Sequence, residues 1–306
     1  MTLPEPAAEL TSEASPEPAS SVGPLIAVAA TLVLWASAFV AIRHLVEPFD
    51  PGALSLGRLV VGTLCLGAVA AMTRSWVRPT RADWVRLVVI GLLWFGFYNV
   101  ALNAGERLVD AGTAALLIQV SPVLVAVMAA LFLGERFTRW LAAGLALAFS
   151  GVALISLGAE GDAAFDPVGV LLVLAAALAY AVSAILQKPL MARLPAVQVT
   201  WLSCTIGTLA CLPWAGTLWR EVGAASTSEV AWVVYLGIFP TAIAFTTFAY
   251  ALTHMSASSL SVTTYLVPPI TIIMSLLFLG ETPATLAYVG GLVALVGVAV
   301  ARRAPR

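Results

Sequence analysis

Charge is scarce in this chain: Asp, Glu, Lys and Arg make up 10% of its 306 residues, where a soluble domain carries about a quarter. So few charged side chains do not cover a water-facing surface for a chain of this length, which excludes a soluble enzyme and makes lipid the solvent for most of it. Histidine occurs twice, and the three cysteines, Cys65, Cys204 and Cys211, fall inside apolar runs at no metal-ligand spacing. They read as packing residues, and neither a metal nor a cofactor is expected. A basic excess is missing too: fifteen Lys and Arg against sixteen Asp and Glu leave a net charge of −1, so nucleic acid is not an expected partner. All sixteen acids lie in the leading segment, in loops or at helix ends, so no carboxylate is placed at the midplane for a proton relay. An intramembrane enzyme would also need a nucleophile beside a base or a metal set, and neither is present in the pattern.

What is abundant is apolar sequence, 61% of the chain, with a mean hydropathy of +0.99. Residues 1–23, with Glu5, Glu9, Glu13 and Glu17 among Pro, Ala and Ser, read as a disordered tail and not a signal peptide. Ten apolar segments follow, near 24–42, 52–72, 84–102, 111–133, 140–157, 168–186, 197–218, 230–252, 259–279 and 284–301. Each is long enough, or nearly so, to cross about 30 Å of hydrocarbon at about 1.5 Å per residue. The connections are short, so whatever the protein does takes place between its helices. With the N-terminus inside, the inner loops and tail carry Arg74, Arg78, Arg81, Arg86, Arg136, Arg139, Lys188, Arg193, Arg302, Arg303 and Arg306, against Arg43, Arg107 and Arg220 outside. The positive-inside bias then places both termini in the cytoplasm.

A constant shift of 146 residues brings Leu131-Phe132-Leu133-Gly134-Glu135 onto Leu277-Phe278-Leu279-Gly280-Glu281. The same shift pairs Pro122 with Pro268, Met128 with Met274, Ser37 with Ser183, Gly91 with Gly237, Gly144 with Gly290 and Gly151 with Gly297. One ungapped offset serving both halves implies a duplication into units 24–158 and 159–306. Five helices per unit is an odd number, so the second copy enters the membrane from the opposite side. The expected fold is an all-α integral membrane protein of ten transmembrane helices in two inverted five-helix repeats.

Gly57-Arg58 early in the second segment, the repeated LFLGE, and Ala111-Gly112-Thr113-Ala114-Ala115-Leu116 with Pro122, echoed by Ala257-Ser258-Ser259-Leu260 with Pro268, resemble the EamA type of the drug/metabolite transporter superfamily. Within it the chain most resembles bacterial exporters of aromatic and other neutral amino acids, the YddG type. The resemblance covers nearly everything after the tail. It implies a secondary transporter of the cell inner membrane whose cavity is lined by helices 1, 3, 4, 6, 8 and 9, with help from 2 and 7, and with 5 and 10 peripheral. The partners it implies are a small-molecule substrate, an amino acid or similar metabolite, and membrane lipid, for a monomer or homodimer. A drug, nucleotide-precursor or sugar-derivative exporter on the same fold is the alternative cargo reading. A channel would be told apart by transport that neither saturates nor exchanges.

Gln119 and its repeat mate Tyr265 lie about 12 Å from their helix starts, near the midplane of a 30 Å core. They are candidates for ligand contact, or for an interhelical hydrogen bond. Trp94 and Tyr98 share a face with Asn99 close by, and Trp35 and Trp94 fall near helix centres and not at the interfacial ends that suit tryptophan. Tyr180 and Ser183 form a stripe with Gln187, Ser37 sits opposite by symmetry, and Trp201 and Phe245 complete an aromatic and hydroxyl set. Such a lining stacks on a flat side chain while bonding the polar ends of a zwitterion, or it is core packing. Pro122, Pro240 and Pro268 each remove a backbone hydrogen bond and read as hinges or as static kinks. Arg58, about 9 Å inside its segment, is expected to be a structural charge paired with Glu106 or Asp110, with a substrate carboxylate as the other partner considered. The stripes Gly144/Ala148/Gly151 and Gly290/Ala294/Gly297 allow close approach, within a half or between two copies. Gradient-driven export of a neutral or zwitterionic solute is the expected function.

Overall fold

A computed structural model of the protein describes residues 22–45, 47–73, 75–108, 117–157, 166–279 and 285–301. Among these residues every regular element is helical. The expected tail lies outside them except for Val22 and Gly23, which already belong to the first helix. The 111–116 motif and Gly280-Glu281 are outside the described residues as well.

The first half holds α1 (Val22–Leu45), α2 (Pro51–Thr73), α3 (Arg81–Ile90), which runs through a π-helical stretch Gly91–Phe97 into α4 (Tyr98–Gly105), then α5 (Ser121–Phe132) and α6 (Arg139–Leu157). The second holds α7 (Pro167–Leu190) and α8 (Ala196–Ala210), bent by 52° into the segment that ends with α9 (Ala215–Ala224). It continues with α10 (Thr227–Leu236), a second π stretch Gly237–Ile243, α11 (Ala244–His254), α12 (Ala257–Thr263), a 3-10 turn Thr264–Leu266, α13 (Val267–Leu279) and α14 (Thr285–Ala301). Five of the described helical runs are long and apolar enough to cross a membrane, or six if the bent pair counts as one. Large apolar side chains such as Leu64, Met72, Leu131, Leu171 and Leu292 point outward. That surface suits hydrocarbon and would drive aggregation in water.

Helix starts are written in the sequence. Thr80 and Asp83 form a reciprocal capping box at α3, and Ser226 and Glu229 form its counterpart at α10. Both members of the second box stand 146 residues after those of the first. The π stretches obey the same shift, since Gly91–Phe97 plus 146 is Gly237–Ile243. Asp166 caps α7 through the Val168 and Gly169 amides, with Pro167 at the first helical position, where its missing N–H costs nothing.

Equivalent helices of the two halves meet head to tail. A side chain at Gly144, early in α6, would strike Ala301 at the end of α14, and one at Gly297 would strike the Ala148 backbone. The small-residue stripes therefore pack α6 against its own repeat mate in the other half, and not within one half. At the other pair of mates, Glu135 after α5 accepts from the amides of Ala257 and Ser258 at the start of α12, at 2.8 and 3.0 Å. The end of α5 and the beginning of α12 thus share one end of the bundle. Glycine also brings the halves together where α2 crosses the second π stretch at Gly62 and Gly237, and where the first π stretch crosses α8 at Gly91 and Gly207.

Candidate functional site

A cavity of about 100 Å³ lies at the seam of the two halves. It is lined from α1 by Trp35, Ala38, Phe39 and Ile42, spaced as one helical face. Arg58 of α2, Trp94, Tyr98, Asn99 and Leu102 of the third helical run, and Ile118, Gln119 and Ser121 complete the first half's share. Tyr180, Phe245, Thr264 and Val267 come from the second. Two helix breaks frame it. The chain turns at Gln119 and Val120 before α5, and the 3-10 turn at Thr264–Leu266 interrupts the corresponding run. Gln119 Nε2 donates to the Thr264 carbonyl across the seam at 3.4 Å. Irregular backbone at such depth is stable only where protein or a cavity satisfies it.

These breaks revise the roles expected of two prolines. Pro122 and Pro268 each occupy the second position of a helix that starts after a break, a place that suits the fixed φ of proline, and not the middle of a continuous kinked rod. Pro240 lies inside the second π stretch. There the Thr241 hydroxyl donates to the Leu236 carbonyl at 2.8 Å. In the first π stretch Asn99 does the equivalent work, its Nδ2 donating to the Trp94 and Phe95 carbonyls at 3.1 and 2.9 Å.

The cavity floor is aromatic. Trp94, 1% exposed, sits 5.0 Å from Tyr180, 5.0 Å from Phe245 and 5.4 Å from Phe248, ring centre to ring centre. Trp35 closes the group at 5.2 Å from Phe248 and 5.6 Å from Phe245. The edge-to-face pairs in this group, all but Trp35–Phe248, contribute about 0.5–1.5 kcal/mol each beyond burial. Rings from α1, the third run, α7 and α11 thus lock both halves together beneath the cavity.

Of the residues singled out in the sequence, Trp35, Trp94, Tyr98, Asn99, Gln119, Tyr180 and Phe245 line the cavity. Four do not. Tyr265 is fully buried on the far side of its 3-10 turn, among Ala126, Leu145, Ala148 and Val298, so it does not face Gln119. Ser37 accepts from the Tyr235 hydroxyl at 2.7 Å. Trp201 packs edge-on against Trp76 at 6.0 Å, and Ser183 is buried in the bundle. Phe248 was missed, although it falls one turn from Phe245. Thr264 was missed too, because the turn that carries it reverses which neighbour faces inward.

Arg58 is 6% exposed, and its Nε donates to Thr241 Oγ1 at 3.1 Å. The expected ion pair is not formed: among the described residues no carboxylate oxygen lies within 4.0 Å of it. Asp110 is outside the described residues. Glu106, one residue beyond α4, has a buried Oε1 without a hydrogen-bond partner. Burial pushes its carboxyl up from 4.5 to about 7, opposed by the charge of Arg58 acting at longer range, with Tyr98 also within electrostatic reach. Between those two values folded Glu106 holds a proton that the unfolded chain has released, so stability falls as pH rises through the window and levels off above it. Glu106→Gln should remove that slope. Thermal unfolding in detergent should show variant and wild type alike near the lower pH and the variant more stable at the upper; equal curves throughout would contradict the assignment.

The opposite end of the bundle is shut. Lys188 donates to the Leu252 and Met255 carbonyls, Arg193 pairs with Asp83 at 2.6 Å, and Gln198 exchanges hydrogen bonds with the Val77 backbone. Between that closure and the aromatic floor runs one face of α7 whose Tyr180 hydroxyl, Ser183 hydroxyl and Gln187 Oε1 are buried without partners.

Two sequence-matched helical halves, helix breaks at a cavity between them and an apolar exterior define a multi-pass membrane protein built to handle a small molecule. The chain belongs to the EamA-like transporter family, which it matches over residues 22–157 and again over residues 167–303. It is 39% identical over 277 residues to a probable terminal-alkyne amino-acid exporter of Streptantibioticus cattleyicolor, covering 90% of this chain and 92% of that one. It is 36% identical over 270 residues to the uncharacterized transporter YdfC of Bacillus subtilis, covering 87% and 86%. A solved crystal structure superposes with a TM-score of 0.74 at 21% identity, over 92% of this chain and 96% of its own, a likeness of fold.

Proposed function

We propose that the protein exports small neutral or zwitterionic metabolites, aromatic and other neutral amino acids foremost, by alternating access through the seam cavity. In this reading ten helices cross the inner membrane as inverted five-helix repeats with both termini cytoplasmic. The observation that carries it is a cavity with an aromatic floor and amide-bearing walls, with a hydrogen-bonded closure at one end of the bundle. The head-to-tail contact of repeat mates supports the inversion. Lining residues from α1, α2, α4 and the start of α5 place the cavity toward the end where α1 finishes and α2 begins, which is the outer face if the basic loops lie inside. The unpartnered face of Tyr180, Ser183 and Gln187 then belongs to the inner half of the path, where its polar atoms gain partners when the cytoplasmic end opens. Orphaned buried polar groups are costly in one rigid state. The amino-acid exporter among the relatives favours this cargo class.

The test is uptake of a labelled aromatic amino acid into liposomes against a panel of unlabelled competitors. Gln119→Ala should weaken apparent affinity about fivefold, the loss of one hydrogen bond of about 1 kcal/mol. Tyr265→Ala should lower thermal stability while leaving apparent affinity close to that of wild type. Competition by no amino acid would overturn the cargo assignment, and affinity lost at Tyr265 but kept at Gln119 would misplace the site.

A further inference from the structure

We propose that Arg58 and the amide oxygens of Asn99 and Gln119 form a zwitterion clamp, in which the guanidinium takes the carboxylate of an α-amino acid and the amides take its ammonium. This deepens the export reading above and rests on it. Arg58 is buried in the cavity wall with its orientation fixed at one edge, because Nε is held by Thr241 Oγ1 at 3.1 Å. Thr241 is itself fully buried and anchored to the Leu236 carbonyl. No described residue supplies a hydrogen-bond acceptor to the two Nη groups. Among the described residues this desolvated guanidinium lacks the hydrogen-bonded anion that normally offsets such burial. Its remaining fork matches a carboxylate through two parallel hydrogen bonds.

The amides supply the opposite polarity. Asn99 spends both N–H groups of its amide on the Trp94 and Phe95 carbonyls, and Gln119 spends one of its own on the Thr264 carbonyl. Asn99 is therefore left with only its carbonyl oxygen, an acceptor, and Gln119 keeps its carbonyl oxygen beside one unspent N–H. Both residues line the same cavity as Arg58. A donor fork and two acceptors in one chamber, above a floor of aromatic rings, select a molecule that carries a carboxylate, an ammonium and an apolar side chain.

The experiment is competition in liposomes reconstituted with the full chain, comparing an aromatic amino acid with its α-amide and with its decarboxylated amine. In the wild type the amide and the amine should compete about ten- to a hundredfold more weakly than the acid, the range expected for losing a charge-assisted bidentate contact. Arg58→Gln should bring acid and amide to equal potency. Arg58→Lys should keep part of the preference, since an ammonium offers a point charge without the fork. Thr241→Val, which frees Nε but leaves the charge, should reduce the preference without abolishing it. If Arg58→Gln does not fold, a reduced acid-to-amide ratio in Arg58→Lys and Thr241→Val supports the clamp, and an unchanged ratio in both overturns it. Equal potency of acid and amide in the wild type overturns the clamp alone. Failure of every amino acid and amide to compete overturns the export reading itself, and the clamp with it.

Discussion

Replacing Trp94 with alanine should turn a saturable transporter into a leaky one. Trp94 is the hub of the cavity floor, within 5.0–5.4 Å of Tyr180, Phe245 and Phe248, and the unpartnered polar face of α7 begins directly beneath at Tyr180. Truncating a buried aromatic of this size removes about 3–5 kcal/mol of packing. It also removes the ring that separates the cavity from the polar face of Ser183 and Gln187 below it. Preloaded liposomes should then lose an aromatic amino acid by a non-saturating route about tenfold faster or more, since each 1.4 kcal/mol taken from a barrier is a factor of ten in rate. Trp94→Phe keeps an aromatic edge in the floor and should remain saturable. A loss of melting temperature in Trp94→Ala without any leak would show that the rings support the fold but are not the barrier.

The second large effect belongs to the crossing of α6 and α14. A Cβ at Gly297 would fall on the backbone N and Cα of Ala148, and one at Gly151 on the Ala294 backbone and the Gly290 carbonyl. Backbone cannot swing aside as a side chain does, so Gly297→Val should force the two helices apart. The expected cost is about 1–3 kcal/mol or more, the range for overpacking, read as a lower thermal midpoint in detergent. Gly223 makes the control: it lies in α9 with nothing within 4 Å of an added Cβ. Gly223→Ala should stabilise by about 0.4–1 kcal/mol through the unfolded chain and helix propensity. Equal behaviour of the two variants would remove the case for a close helix crossing.

Much of this architecture is legible in the sequence because hydropathy and helix starts are local properties. The shift of 146 residues that pairs Gly91 with Gly237 reappears as twin π stretches and twin capping boxes. The central aromatics were readable as well, since Trp35 and Trp94 stand away from the helix ends where tryptophan is ordinarily placed. What was not readable depends on partners. The glycine stripes announce a close approach but do not say to which helix, and the answer, the repeat mate in the other half, comes only from the packed chain. Tyr265 was misplaced for a geometric reason: a 3-10 turn advances about 120° per residue where an α-helix advances about 100°, so extrapolating one face across Thr264–Leu266 puts the wrong neighbour toward the solute. Arg58 was expected to find an acid, and instead found a hydroxyl in the opposite half.

The matched π stretches carry a further consequence. A π turn is an α-helix with one residue too many, so each stretch records a single-residue insertion in an otherwise regular rod. Two independent events at the same register are harder to obtain than one event copied, which dates the extra residue to the undoubled ancestor. That ancestor, half the present length, then already owned the bulge around which a cavity would form. It would have needed a second copy of itself to enclose anything, since residues of both halves line the cavity.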